Sequence, residues 1–460
     1  MTIESTVIAW VTLPNSEAYY ANGQSGGGPY PQNAQRMVED ALNLVDPLVD
    51  FGQFDANHDG YIDSITIIHS GYGAEWGGGG GNWIWSHKWA LPTPWTSRHQ
   101  NAEGVNVKVS RYHTEPALWG MSGTAITRIG VICHEIGHAF GLLDLYDTDP
   151  SKSSGIGSYC LMANAWGFDG SQLHPPHMGA WCKMKLGWVV PTIIRPGSYN
   201  APQVESRSTV FRIENGYPSG EYLLIENRQP TGFEYDMPQG GLAIGHIDES
   251  KTNNNTEGYP GQTGWPRNGN HYMVALLQAD GQYNLEHGAN RGDFGDLYRG
   301  TDVSLIGPDT KPNTDSYQSG NVRRTGKIIS GISFASSVMS FVFSAPSPLR
   351  LGSLQRLPDG AYRIWIGTAD GTAIDPTRIP AIDLYASSDV SQPMAGWTRL
   401  TGRLTATNGL LWLDDPAART LPTRKLARQR RWYRSRRYRP VRIFLTGMSG
   451  HHWAAAFSFL

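Results

Sequence analysis

The amino-terminal third of the chain alternates between apolar runs with strand periodicity and amphipathic segments with helix periodicity. Residues 33–45 place Met37, Val38 and Leu42 on one stripe of a helix. Residues 106–113 alternate strictly between apolar and polar positions, as a half-buried strand does. The predicted strands are 4–13, 61–69, 82–89 and 106–113, and the predicted helices are 33–45, 124–141 and 176–188. This mixture predicts an α/β arrangement, in which a twisted sheet packs on helices.

The pattern changes after Val190, where helical periodicity largely stops and short apolar runs alternate with turn-rich segments. The predicted domains are therefore 1–195, a β-rich domain 196–346 packed on or continuous with the first, a small β-sandwich-like accessory domain 347–436, and a tail 437–460. Ten Lys or Arg lie between Arg424 and Arg442, and no acidic residue follows Asp415. Such a charge run is usually solvated, which predicts a basic, disordered tail.

Composition and charge narrow the class of protein. The formal net charge is -2, so charge does not favour nucleic acid or an anionic membrane as a partner. The apolar runs are shorter than the ~20 residues needed to cross a bilayer, so no membrane span is predicted. The three cysteines, Cys133, Cys160 and Cys182, are too few for a disulfide framework, although one bridge is possible. Composition and charge do not indicate a catalytic activity, so the prediction of function depends on sequence motifs.

The second predicted helix contains the sequence H-E-x-x-H, formed by His134, Glu135 and His138. Residues four apart lie on the same face of a helix, with Cβ atoms about 5–6 Å apart, so both imidazoles can reach one metal ion. Two histidine nitrogens at this spacing are typical of a catalytic Zn²⁺ site. Glu135 lies one step round the helix, where it can act as general base without binding the metal. The alternative is a helix whose histidines only satisfy hydrogen bonds.

A catalytic zinc usually has three protein ligands, and Asp144 is the leading candidate for the third. On a continuous helix, Asp144 would point away from the metal, so it can bind only if the helix ends first. Gly141 occupies a position where a left-handed residue would end the helix. Alternatively, Asp144 orients a histidine or caps the helix. Tyr146 and Asp147 are nearby rivals for a supporting role.

The sequence HEIGHAFGLLDLYD resembles the extended zinc motif of metzincin-type peptidases. SYCLMANAW, residues 158–166, resembles their turn with a buried methionine, which would make Met162 the floor of the site. More closely, the chain resembles the immune inhibitor A family of secreted bacterial metallopeptidases. The segments that carry this resemblance include VDFGQFDANHDGYIDSITIIHSGYGAEWGGG, PPHMGAWCKMKLGW and LLQADGQYNLEHGANRGDFGDLY, and together they cover most of residues 1–345. The resemblance implies a zincin-like catalytic domain, secretion, and stabilisation by Ca²⁺ in many members.

Two departures from the family pattern bear on these expectations. The first residues lack the features of a signal peptide, so the chain is expected to lack the family's signal peptide and propeptide. Metzincins often place a tyrosine two residues after the turn methionine to stabilise the oxyanion, and this position is Asn164. The remaining candidates for that role are Tyr146, Tyr159 and His177.

A second metal site is predicted in the segment DANHDGYID. Its candidate ligands for Ca²⁺ are Asp55, Asn57, Asp59, the Tyr61 carbonyl and Asp63. The alternative is a polar Asp-Gly turn before a strand, because Thr66 occupies the position where a complete loop would have a glutamate. The segment NRGDFGD, with Asn290, Asp293 and Asp296, is a weaker candidate.

The function predicted from the sequence is a zinc-dependent endopeptidase that hydrolyses extracellular polypeptides, with Glu135 as general base. One rival is a zinc hydrolase of non-peptide amides. The other is a non-enzymatic adhesion or binding module with a relic zinc site, which the intact Glu135 disfavours. The sequence does not determine the oligomeric state.

Overall fold

The computed structural model describes residues 5–149, 153–345, 347, 349–369, 371–374, 379, 382, 384–387 and 398–415, together with strands at 432–434, 442–446 and 454–458. The chain divides into two compact units. Unit 1 comprises residues 1–306, 317–321 and 329–342, and unit 2 comprises residues 307–316, 322–328 and 343–460. In the part of the chain that the structure describes, no helix is long and apolar enough to span a membrane.

The amino-terminal part of unit 1 contains a mixed three-stranded sheet. The helices of unit 1 are α1 (Glu17–Ala21), α2 (Ala34–Val45), α3 (Ile129–Ala139) and α4 (Ala180–Lys185), and α4 packs on a later sheet instead of this one. The strands are β1 (Thr66–Tyr72), β2 (His87–Gln100) and β3 (Asn106–Leu118), in the order β1-β3-β2. Strand β3 is parallel to β1 and antiparallel to β2, so β3 is the central strand.

Helix α2 confirms the prediction from periodicity almost to the residue. It begins after Asn33, whose side-chain oxygen accepts a hydrogen bond from the Arg36 backbone N–H at 3.1 Å. Its apolar stripe, including Met37 and Leu42, packs in one core with Val109 of β3. The period of the apolar residues was sufficient here because this helix has one buried face.

The rest of unit 1 is mainly sheet. The next strands are β4 (Thr192–Ile193), β5 (Gly197–Pro202), β6 (Phe211–Ile213), β7 (Glu221–Arg228), β8 (Gly241–Asp248), β9 (Val274–Leu276), β10 (Ile328–Ser330) and β11 (Val338–Ser344). Five of them form a sheet in the order β4-β6-β7-β8-β9, and a second sheet has the order β10-β11-β5. The central strands β7 and β8 are buried along almost their whole length.

One hydrophobic core joins this five-stranded sheet to the segment that follows the zinc motif. It contains Leu145 and Met162 from that segment, Cys182 from α4, and Leu224 and Ile247 from the sheet. The buried face of the sheet therefore supports the residues that lie beneath the motif. The core contains residues from both sides of residue 195.

Unit 2 is also built from strands in its described residues. They are β12 (Leu349–Arg356), β13 (Tyr362–Thr368), β14 (Tyr385–Ser387), β15 (Thr398–Arg399), β16 (Thr405–Thr407), β17 (Leu410–Asp415), β18 (Trp432–Arg434), β19 (Arg442–Thr446) and β20 (Ala454–Ser458). Their sheets have the orders β12-β13-β17-β16, β15-β14-β18 and β19-β20. The predicted tail 437–460 lies mostly outside the described residues, which include β19 and β20 from it.

Several predicted elements differ from the structure, and the strands predicted at 61–69 and 82–89 are observed with the later bounds of β1 and β2. Residues 5–13 form no strand, and the side chains of Val7 and Trp10 are exposed. Helix α3 begins at Ile129 rather than 124, because Ile126 forms a β-bridge with Leu118. Helix α4 is confined to residues 180–185, and Gly179 is its N-cap residue. The expectation that β-rich structure follows the catalytic domain is confirmed for the described residues.

Candidate metal centre

Helix α3 presents the two histidines of the motif on one face. The side chains of His134 and His138 retain only 9% and 6% of their accessible surface, and their ring centroids lie 4.8 Å apart. Glu135, between them in sequence, is also buried. The helix thus places two imidazoles and one carboxylate close together on a single element.

The helix ends where the sequence predicted. Gly141 has φ +87° and its N–H donates to the His138 carbonyl at 2.9 Å, while the Leu142 N–H donates to the Gly137 carbonyl at 3.2 Å. This pair of bonds is a Schellman motif, which reverses the chain direction. A glycine suits the position because residues with a side chain are strained at positive φ.

After this reversal, Asp144 lies against both histidines. Its Oδ1 is 3.1 Å from His134 Nε2 and 3.2 Å from His138 Nε2. One ligand atom from each of the three residues falls within 4.8 Å of the other two. The structure therefore brings together the three residues that the sequence analysis named as zinc ligands.

The hydrogen bond at Nδ1 fixes the tautomer of each histidine ring. His134 Nδ1 is 2.9 Å from the Leu161 carbonyl oxygen, and His138 Nδ1 is 2.9 Å from the Leu142 carbonyl oxygen. A carbonyl can only accept, so both Nδ1 atoms must carry a proton and donate it. In a neutral imidazole, Nε2 then has only a lone pair, and this lone pair faces Asp144.

Two nitrogen lone pairs and a carboxylate oxygen therefore converge on one point, which is favourable only with positive charge between them. Ligands of a tetrahedral zinc, at ~2.0–2.2 Å from the ion, lie roughly 3.3–3.5 Å apart. The observed separations from Asp144 Oδ1, 3.1 and 3.2 Å, need to expand by only a few tenths of an ångström. The donor set, its spacing and its tautomers all fit zinc.

The pKa values reflect the same need for a cation. Burial lowers the pKa of His134, but the stabilisation of a protonated ring by Asp144, Glu135 and the Leu161 carbonyl together outweighs burial, and the net pKa is raised. Burial would raise the pKa of Asp144, yet protonated forms of His134 and His138 would donate to its carboxylate, and their combined effect leaves that pKa well below the usual range. Burial raises the pKa of Glu135, partly offset by the two histidines. Glu135 thus has the electrostatic setting of a proton acceptor.

Met162 lies beneath α3, fully buried in a turn. The turn is closed by the Ala163 N–H, which donates to the Cys160 carbonyl at 2.9 Å. The Met162 carbonyl accepts from the Leu145 N–H at 2.8 Å, which ties the turn to the segment that carries Asp144. A Cβ added at Gly137 would meet Met162 Sδ closer than 3.0 Å and its Cε at 3.3 Å. The sulfur therefore packs on the helix between the two histidines.

The candidates for oxyanion stabilisation have different surroundings. Asn164 holds its own turn, donating to Ser158 Oγ at 2.7 Å and accepting from Arg291 Nη1 at 3.1 Å. The Tyr159 hydroxyl donates to Asp296 Oδ2 at 3.0 Å. His177 is largely buried, which lowers its pKa to about 4. Tyr146 borders the site instead, with its ring centroid 6.1 Å from that of His134.

The calcium prediction for residues 55–63 is not supported. Asp55, which is buried, accepts hydrogen bonds from the Asp59 and Gly60 N–H groups at 3.0 Å and from Asn101 Nδ2 at 2.8 Å. Asp63 Oδ2 accepts from the Ala56 N–H at 3.3 Å. These carboxylates satisfy the loop's own donors, as in the alternative of a polar Asp-Gly turn.

Two further groups in the described residues could hold a metal. They are Asp169, His174 and Asp236, and Asp280, Asp293 and Asp296. Asp293 and Asp296 were predicted from the sequence, but Asp280 was not, because only the pairing of distant loops brings it close to them. The Ala279 N–H donates to the Asp296 carbonyl at 2.9 Å, and this contact has no local signature in the sequence.

Two histidines and a carboxylate around a metal-sized space, with a glutamate beside them, define the class of metal-dependent hydrolase sites. Comparison with known proteins shows which family part of the chain resembles. Residues 1–189 match the family model described as immune inhibitor A peptidase M6, catalytic domain. The resemblance predicted from the sequence is confirmed over this segment.

Curated relatives agree with this match. Immune inhibitor A of Bacillus thuringiensis subsp. alesti is 36% identical over 170 residues, which cover 32% of this chain and 24% of the relative. The pre-pro-metalloprotease PrtV of Vibrio cholerae serotype O1 is 28% identical over 205 residues, which cover 40% of this chain and 22% of the relative. The chain thus spans about a quarter of the length of the relatives it matches.

Proposed function

We propose that this protein is a zinc-dependent endopeptidase of the immune inhibitor A type, with a zincin-like catalytic domain. The observation that carries the proposal is the convergence of His134 Nε2, His138 Nε2 and Asp144 Oδ1 on one point beside Glu135. The match of residues 1–189 to a metallopeptidase family supports it. One relative is named a pre-pro-metalloprotease, and the sequence resembles a family of secreted peptidases, so the proposal includes export of the protein and extracellular polypeptides as its substrates.

In this proposal, His134, His138 and Asp144 hold the metal, and Met162 supports the helix from below. A zinc ion bound there supplies a Lewis acid, which polarises the scissile carbonyl and makes water more acidic. Glu135 takes the proton of the attacking water and then gives it to the leaving amine. The carbonyls of Leu161 and Leu142 keep the histidine rings oriented throughout.

Tyr146 is the candidate donor for the developing oxyanion. Burial raises the pKa of its hydroxyl, and the carboxylates of Asp144 and Glu135 raise it further. The group therefore stays protonated at neutral pH and keeps a proton to donate. Asn164, at the position where metzincins often have a tyrosine, is engaged in its own turn.

The first test removes the general base and leaves the ligands in place. Glu135→Gln keeps the size of the side chain but cannot accept the proton, so we expect about a 10²–10⁴-fold loss of kcat on casein. Zinc content, measured by plasma mass spectrometry, should stay at the wild-type level. The matched control is Glu214→Gln, which changes an exposed glutamate paired with Arg212 and should leave the rate unchanged. An unchanged rate for Glu135→Gln would contradict the mechanism.

Ligation by Asp144 is tested separately, with an anomalous-scattering map of zinc-loaded crystals at the zinc edge. A carboxylate oxygen at ~2.0–2.2 Å from the ion supports it, and one beyond about 3 Å refutes it.

The alternative reaction, hydrolysis of small non-peptide amides, uses the same metal site. Casein cleavage that stops with a chelator and returns with zinc supports an endopeptidase. Cleavage of small amides without any cleavage of casein would favour the alternative instead.

A further inference from the structure

Two buried thiols lie side by side near the turn that contains Met162. Cys160 and Cys182 are both fully buried, and their sulfur atoms lie 3.7 Å apart. Cys160 lies two residues before Met162 in the turn under α3, and Cys182 lies on α4. The two residues are 22 positions apart in the sequence, so folding brings their sulfur atoms together.

Hydrogen bonds hold the two ends of the intervening segment against each other. The Leu161 N–H donates to the His177 carbonyl at 3.2 Å, and the Gly179 N–H donates to Cys160 Sγ at 3.2 Å. A disulfide has an S–S length of about 2.05 Å, so each sulfur needs to move by only about 0.8 Å to form one. Small changes in the side-chain torsion angles move the sulfurs that far.

Buried cysteines are common as small apolar residues, so the contact alone carries little weight. The second observation concerns the segment between them. Residues 161–179, all of which the structure describes, contain no helix and no strand. A covalent link between the ends of such a segment removes conformational freedom from the unfolded chain. The two thiols are therefore placed where a crosslink has a large stabilising effect.

The surroundings of the three thiols favour this pair. Burial raises the pKa of Cys160, but the Cys182 thiol, nearby N–H groups and the Arg228 charge together outweigh burial and lower that pKa to about 7. Cys160 can therefore supply the thiolate that disulfide exchange requires. Burial and the Glu115 charge raise the pKa of Cys133 instead, so this thiol forms a thiolate less readily.

We propose that Cys160 and Cys182 form a disulfide bond in an oxidising environment, which clamps the turn beneath α3 to α4 and leaves Cys133 as a free thiol. The oxidant is another disulfide, small or protein-borne. The Cys160 thiolate attacks it, which forms a mixed disulfide and releases one thiolate. The Cys182 thiol then loses its proton, and its sulfur attacks Cys160 Sγ and releases the second thiolate. The two released thiolates take up the two protons that the protein loses.

The bond also affects the proposed metal centre. Cys160 is followed directly by Leu161, whose carbonyl lies 2.9 Å from His134 Nδ1. A link from Cys160 to α4 therefore restrains the carbonyl that orients a proposed zinc ligand. Because both sulfurs are buried, the exchange takes place while the chain folds. The pairing does not depend on peptidase activity, but its formation in an oxidising compartment rests on the proposed export.

The first test measures the thiols of the full chain. The protein is directed to the bacterial periplasm, which is oxidising, then purified and denatured in iodoacetamide. We expect one alkylated thiol per chain and a peptide map in which Cys160 is linked to Cys182. The matched control, Cys133→Ser, should form the same link and contain no free thiol. Three alkylated thiols in the wild type, or a link that includes Cys133, would overturn the proposal.

The second test measures what the clamp does. The zinc-loaded wild type from the periplasm should melt roughly 5 °C or more above the reduced, zinc-loaded protein made in the cytosol. Cys182→Ser should melt at the same temperature from both sources, because it cannot form the bond. Each protein is compared with itself, so a general loss of stability in the variant does not imitate the effect. If Cys182→Ser fails to fold, Cys182→Ala gives the same comparison. A linked wild type that melts no higher than its reduced form would refute the clamp.

Casein cleavage, recorded on the same samples, separates this proposal from the proposed function. A linked and stabilised protein that cleaves no casein would contradict the peptidase function and support the disulfide. An active protein with three free thiols would contradict the disulfide alone.

Discussion

The contact between Gly137 and Met162 allows a quantitative test of how Met162 supports α3, the helix with two of the proposed zinc ligands. A methyl group added at residue 137 would meet Met162 Sδ closer than 3.0 Å, with Met178 Cε at 3.2 Å. Overpacking of this kind costs about 1–3 kcal/mol, while alanine gains up to ~1 kcal/mol over glycine in a helix. Gly137→Ala should therefore destabilise the zinc-free protein by about 0–2 kcal/mol.

The two residues can be compared by a double-mutant cycle. Met162→Ala alone should cost about 2–5 kcal/mol, because it leaves a cavity in the core. The double variant has room for the new methyl group, so its loss should be smaller than the sum of the single losses by about 1–3 kcal/mol. The assay is urea unfolding of zinc-free protein, followed by tryptophan fluorescence.

The matched control is Gly130→Ala on the same helix. A Cβ there would meet the carbonyl oxygen of Ala165, which Met162→Ala does not remove. Gly130→Ala should therefore combine additively with Met162→Ala. If Gly137→Ala also combines additively with Met162→Ala, a methyl group at residue 137 does not press on the Met162 side chain.

Two further changes test the helix end and a buried acid. Gly141 has φ +87°, and no atom lies near the position of an added Cβ, so the cost of a side chain there comes from the backbone conformation alone. Gly141→Ala should therefore lower the free energy of unfolding by about 1–2 kcal/mol and weaken zinc binding in a chelator competition. Gly141→Asn should recover part of both losses, and losses equal to those of Gly141→Ala would contradict this explanation. Burial raises the pKa of Glu286 to about 8, so the folded state binds more protons than the unfolded state between pH ~4.5 and 8, and stability falls as pH rises through this window. Glu286→Gln should therefore raise the melting temperature more at pH 8 than at pH 5. An equal rise at the two pH values would contradict the raised pKa of Glu286.

Local sequence was sufficient for the three proposed ligands because they lie within one helix and the turn that ends it. His134 and His138 depend on helix geometry alone. Asp144 depends on one glycine, Gly141, whose left-handed conformation is what the sequence predicted. Contacts from later in the chain, such as that of the Leu161 carbonyl with His134 Nδ1, then orient residues that local geometry places close together.

Elements that depend on distant partners were predicted less well. Strand β2 extends from His87 to Gln100, although Pro92 and Pro94 lie inside it. Proline removes a ladder donor, and the strand predicted from the sequence ended at residue 89. The strand tolerates both residues because it is at the edge of its sheet, where the pairing register shifts between Ala90 and Trp95. Residues 5–13 have strand-like composition, but in the described structure they pair with no other strand.

The core shared by the zinc motif and the five-stranded sheet has a consequence for biosynthesis. Arg228 Nη1 donates to the Tyr159 carbonyl at 2.9 Å, and the Arg291 carbonyl accepts from Ser158. At ~5–20 residues per second, Arg291 leaves the ribosome roughly 7–30 s after Asp144. During that interval the nascent chain has all its proposed ligands but lacks the strands that cover Leu145 and Met162. A fragment that stops at residue 189 would keep these side chains exposed, so the matched segment is shorter than the part of the chain that must fold together.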